Sequence, residues 1–107
     1  MSQTLGRVQQ LLTGGEVRIS DHGYDELAAD AILAGEVIAG VQQAVVLEDY
    51  PDYIKGPCVL VLQHDSVGKA IHAVWGIARE TTKPAVLITA YRPDPEKWTL
   101  DFKRRKP

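Results

Sequence analysis

The chain reads as an α+β domain, with N-terminal helices packed on one face of a C-terminal antiparallel sheet of about four strands. Three observations predict this. Apolar residues at helical spacing run from the start of the chain to about Gln43. From Ala44 onward the apolar residues form short strand-like runs rich in β-branched side chains. The turn-forming segments "DSVGK" and "ETTK" separate the last three runs, which makes them a meander.

Each element follows from local chemistry. Leu5, Val8, Leu11 and Leu12 fall on one face of a helix from about Ser2 to Leu12, and Gly14-Gly15 stop it. "EVRIS" reads as a short strand. Ser20 or Asp21 caps a second helix through about Asp30, with Tyr24, Leu27, Ala28 and Ala31 along one face. A third helix runs from near Gly35 to Gln43 and carries Val37, Ile38 and Val41. The strands are "AVVLEDY", "CVLVLQH", "AIHAVWGIAR" and "AVLITAYR". Between the first two, "YPDYIKGP" holds two prolines and a glycine, the composition of a shaped loop.

Side chains alternate along a strand, so each run has two faces. A hairpin closed through Arg79 to Pro84 places Ile71, Trp75, Ile77, Val86 and Ile88 on one apolar face, expected beneath the helices. The other face then gathers His72, Thr89 and Tyr91, with His64 from the preceding strand. Arg92 stands one residue further, where its long side chain can swing round the strand end.

At 107 residues the chain is expected to form a single domain over 1–107, and its 45% hydrophobic and 24% charged content is that of a globular protein rather than a disordered one. Cys58 is the only cysteine, which rules out an intrachain disulfide and a cysteine-based metal framework. No run of about 18 apolar residues is present, and the first residues lack a signal-peptide pattern, so a cytoplasmic protein without a membrane partner is expected. Lys103, Arg104, Arg105 and Lys106 form a basic tail within 103–107, behind a body with 8 basic and 14 acidic residues. An acidic body argues against strong nonspecific nucleic-acid binding, and such a tail reads first as a solvated end.

The candidate chemistry is phosphate-ester chemistry at His72, Tyr91, Thr89 and Arg92. A neutral histidine can accept a proton from a hydroxyl, an arginine can neutralise charge on a phosphate, and tyrosine or threonine can donate hydrogen bonds. The competing reading is a His72–Tyr91 contact across neighbouring strands that only stabilises the sheet. His22 lies in the first turn of the second helix, where the dipole disfavours a cationic ring, which suits either a general base or an ordinary helix start. His22, His64 and His72 show no metal-ligand spacing, so neither metal nor cofactor is expected. Cys58 reads as a buried inert thiol, and no GxGxxG, P-loop or GxSxG motif occurs.

The ordered set "ISDHGYDELAAD", "VVLEDYPD", "GKAIHAVWGI" and "ITAYRPDPEKW" followed by "FKRRK" resembles domain-of-unknown-function family 4258, from about Val17 to Lys106. Members of that family look like small toxins of the RelE and BrnT kind, some encoded beside zinc-finger antitoxin-like proteins. The resemblance implies a RelE-like fold and a ribonuclease toxin or its relative, with RNA and an antitoxin-like protein encoded nearby as expected partners. The family's polar positions fall on His22, His72, Tyr91 and Arg92, with His64, Thr89, Lys103, Arg104 and Arg105 as further substrate-binding candidates. Two functions follow as expectations. One is a metal-independent ribonuclease. The other is a noncatalytic module that meets a protein partner through "EDYPDYIKGP" and the basic tail.

Overall fold

The computed structural model describes residues 2–107. Helix α1 spans Gln3–Thr13, strand β1 Val17–Ile19, helix α2 Asp21–Ala29 and helix α3 Ala34–Gly40, which runs on as a single 3-10 turn. Strands β2 (Val45–Tyr50), β3 (Cys58–His64), β4 (Ala70–Ile77) and β5 (Ala85–Tyr91) follow. The α+β architecture is the one expected. Its sheet has five strands in the order β1-β5-β4-β3-β2, because "EVRIS" joins as an edge strand parallel to β5.

The cap of α2 is Ser20, whose Oγ accepts from the Gly23 N–H at 2.9 Å and donates to the Ile88 carbonyl at 2.9 Å. One hydroxyl therefore fixes both the start of the helix and its place against β5. The buried face of α2 is Gly23 and Leu27, rather than the expected Tyr24–Leu27–Ala28 stripe; Tyr24 is exposed. The reason is close approach. A Cβ on Gly23 would stand 2.8 Å from the Leu87 carbonyl oxygen, so only glycine lets the helix settle on β5.

The core lies between the helices and one sheet face. Leu5, Val8, Leu27, Val37 and Val41 from the helical side meet Val59, Val61, Ile71, Trp75 and Leu87 from the sheet. Gln63 also points inward, donating to the Val37 carbonyl at 2.6 Å and accepting from the Trp75 indole N–H at 3.2 Å. A buried amide is stable here because both ends are paired.

The expected apolar face of β5 is corrected over half its length. Val74 pairs with Thr89 and Trp75 with Leu87, so Ile88 is an extra residue, a β-bulge. Beyond it His72 pairs with Tyr91 in the expected register. Before it the alternation is inverted. Ala85 and Leu87 face the core, while Val86 stands beside Gly76 on the opposite face.

The basic tail keeps its four cations exposed, as expected of a solvated end, but it does not run free. The segment after Arg92 folds back over the second sheet face as a small hairpin, with Trp98 bridged to Arg105 and the Thr99 N–H donating to the Arg104 carbonyl at 2.8 Å. Trp98 is buried there with Leu60, Leu62 and His72. The domain thus carries a second, smaller apolar layer that the helices do not reach.

Candidate functional site

The second sheet face is organised in cross-strand rows. Val45, Leu62, His72 and Tyr91 form one, and Glu48, Leu60, Val74 and Thr89 form the next. The C-terminal hairpin lies across both. His72 is completely buried beneath it. Its Nε2 is 2.8 Å from the Phe102 carbonyl oxygen; a carbonyl only accepts, so Nε2 carries the proton. Nδ1 has no partner. The ring meets Trp98 edge-on at 4.3 Å and Tyr91 at 5.5 Å between centroids. Burial pushes the His72 pKa below its ordinary value, against the Phe102 hydrogen bond that pulls it up.

His72 and Tyr91 are therefore together, and the other candidates are elsewhere. Arg92 turns away toward the β3–β4 hairpin. Its guanidinium donates to Asp65 Oδ2 at 2.8 Å and to the Ala70 carbonyl at 3.2 Å, and its backbone N–H donates to Asp30 Oδ2 at 2.7 Å. These bonds tie the strand end to the turn, where Asp65 Oδ1 also accepts from the Val67 and Lys69 N–H groups. His22 lies on α2, on the helical side of the sheet, with Glu26 3.7 Å away. His64 is exposed at the far end of β3, opposite Ala70, and Thr89 is half-buried beside Val74. Lys103 and Arg104 are exposed on the hairpin.

Arg105 is placed differently. Its guanidinium donates to Glu48 Oε2 at 2.6 Å and sits 4.9 Å from the centroid of the Trp98 ring. Glu48 Oε1 accepts from the Tyr50 hydroxyl at 2.9 Å. These groups border an open cleft of about 290 Å³ whose other walls include Tyr53, Leu60 and Tyr91. The hydrogen bonds from Arg105 and Tyr50 hold the Glu48 carboxyl below its usual range. Burial pushes the Tyr91 phenol up, so it keeps its proton at neutral pH. A carboxylate, a guanidinium and three phenols thus share one cleft. In the sequence Glu48 and Tyr50 stand out only as part of the "EDYPDYIKGP" contact loop and not as groups with chemistry, although alternation in "VVLEDY" places them on one face. What concealed them is that their face is the one the hairpin crosses.

The family described as domain of unknown function (DUF4258) matches residues 19–92. The chain belongs to the DUF4258 family. No curated protein and no solved structure matches the chain. The DUF4258 span contains Glu48, Tyr50, His72 and Tyr91 and ends at Arg92, so the hairpin that brings Arg105 to the cleft lies outside it. Among the described residues of this DUF4258 protein, no helix is long and apolar enough to cross a membrane. None of its described His, Cys, Asp and Glu side chains gather as a metal-holding group of three.

Proposed function

We propose that the protein is a metal-independent ribonuclease of the small-toxin type, acting in the Glu48–Tyr50–Tyr91–Arg105 cleft. The observation that carries this reading is the Arg105–Glu48 contact at the cleft mouth, which places an anion-binding group on a proton acceptor. The pair is closed in the free protein, and Glu48 is then a weak base. An RNA phosphate entering the cleft competes for Arg105 through charge-assisted hydrogen bonds. As Arg105 moves to the phosphate, Glu48 loses the contact that most lowers its pKa and becomes a better proton acceptor.

The step then balances. Glu48 takes the proton of the ribose 2′-hydroxyl, and the 2′-oxygen attacks phosphorus. Arg105 neutralises the charge that develops on the phosphoryl oxygens. The bond to the 5′-oxygen breaks, and that oxygen takes the Tyr91 hydroxyl proton. The products are a 2′,3′-cyclic phosphate and a 5′-hydroxyl. His72 has no contact with the reacting atoms in this scheme; it supports Tyr91 and Trp98 from below. The expected catalytic roles of His22 and Arg92 are likewise not used.

The test is cleavage of single-stranded RNA in EDTA. Wild-type protein cleaves, and Arg105→Ala and Glu48→Gln each slow cleavage by about 10²-fold or more at unchanged melting midpoint. Intact RNA with the wild-type protein, or full activity in both variants, refutes the reading.

One observation favours a second reading, a noncatalytic module for an antitoxin-like protein. Tyr50, Tyr53 and Ile54 are all exposed at the β2–β3 loop, with Ile54 at 71%. Aromatic and aliphatic side chains grouped in this way suit a protein interface. This reading requires a stable complex with a neighbouring gene product that Ile54→Asp and Tyr53→Asp disrupt. A complex untouched by both changes counts against it.

A further inference from the structure

One row of the second face is left uncovered by the hairpin. Arg18, Val86, Gly76, Cys58 and Tyr50 pair side by side across all five strands. At an inter-strand spacing of about 4.8 Å, this row is roughly 19 Å long. It ends at Tyr50, in the cleft already described. Its other part is an open hollow of about 330 Å³ with Gly76 at its floor and Val86 and Ile88 as walls, and Tyr53 borders both spaces.

The β5 bulge builds this hollow. By turning Val86 to the second face while leaving Ile88 over Gly76, it gives two apolar walls on one side of a glycine floor. The hollow's charge is unlike that of the whole molecule. The chain carries a net charge of −2, yet the charged residues lining the hollow are Arg18 and Lys55, with no carboxylate among the described residues. Neither cation has an ion-pair partner among those residues. Lys55 is held in place by its backbone, whose carbonyl accepts from the Arg79 N–H at 3.0 Å.

Flat apolar walls, an aromatic side chain and unpaired cations at the rim suit one ligand chemistry, a nucleobase with its phosphate. From this we infer that the hollow is a subsite for single-stranded RNA, which runs along the Arg18–Tyr50 row into the cleft. A base lies against Ile88 and Tyr53, and flanking phosphates meet Arg18 and Lys55. The inference rests on the ribonuclease reading for the direction of the strand, and on the hollow's own walls and charges for its occupant. A duplex does not fit, because its bases are stacked inward and cannot reach the floor.

The experiment uses the full chain and a fluorescein-labelled 2′-O-methyl oligoribonucleotide, which lacks the free 2′-hydroxyl and cannot be cleaved. Binding is followed by anisotropy across a salt series, beside a duplex of the same sequence. The double variant Arg18→Ala/Lys55→Ala is expected to bind the single strand at least ten-fold more weakly at low salt. Its plot of log affinity against log salt becomes shallower by about 0.7 for each cation removed. Ile88→Glu, which puts a carboxylate against the floor, gives a comparable loss. No binding by the wild type, equal binding by the variants, or equal binding of the duplex overturns the subsite. Single-strand binding with these losses but no cleavage of unmodified RNA retains the subsite and removes the ribonuclease. Cleavage that ignores the Arg18 and Lys55 changes does the reverse.

Discussion

His72 is a histidine buried on the wrong terms for a charge. Nε2–H is committed to the Phe102 carbonyl, and among the described residues Nδ1 has no acceptor to receive a second proton's N–H. Arg105 also disfavours protonation, and Glu48 only partly offsets this. The sign of the pH effect follows. The unfolded chain takes up the proton first, near the ordinary value of about 6.5. The stability due to neutral His72 is fully present above that pH and is lost as pH falls through it toward the lower folded value. Urea midpoints measured from pH 7.5 to 5.5 should therefore fall in the wild type, and fall less in His72→Gln. An equal fall in both assigns the acid sensitivity to carboxylates. His72→Ala empties a fully buried site and breaks the Phe102 bond, at a cost of about 2–4 kcal/mol in chemical denaturation.

At the scale of elements, the C-terminal hairpin and the β2–β3 loop shape the second face. Trp98 is the hairpin's anchor, and Trp98→Ala should cost about 3–5 kcal/mol if the hairpin is part of the folding unit. A loss under about 1 kcal/mol in denaturant titration would mean it rests loosely on the sheet. The loop depends on Gly56. Its φ is +123°, and an added Cβ would collide with the Ile77 carbonyl oxygen. Gly56→Ala is therefore expected to lower the melting midpoint by several degrees, since backbone atoms cannot step aside as a flexible side chain can. A midpoint equal to wild type would contradict the loop's placement against β4.

Across the whole molecule, periodicity made the fold class legible. The helical face of α1 and the alternation of β4 are local properties, and they survive folding unchanged. Tyr91 beside His72 was legible for the same reason, because both lie on the regular side of the Ile88 bulge. Val86 lies on the other side, and nothing local marks where two residues will face one. Arg92 was misplaced because its partner is Asp65, a turn residue 27 positions away that carries no pattern. The exposure of the basic tail was legible in its charged composition, but its fold-back over the sheet was not. Trp98, just upstream of it, is the buried anchor, and that anchor brings Arg105 over Glu48.

The most direct measurement is the identity of the ends left on a defined single-stranded RNA incubated with the protein in EDTA, read by mass spectrometry. A 2′,3′-cyclic phosphate and a 5′-hydroxyl, both formed about 10²-fold or more slowly by Glu48→Gln, is the outcome expected of 2′-hydroxyl attack in the Glu48–Arg105 cleft. A 5′-phosphate end, or RNA left intact by the wild-type protein, would contradict it.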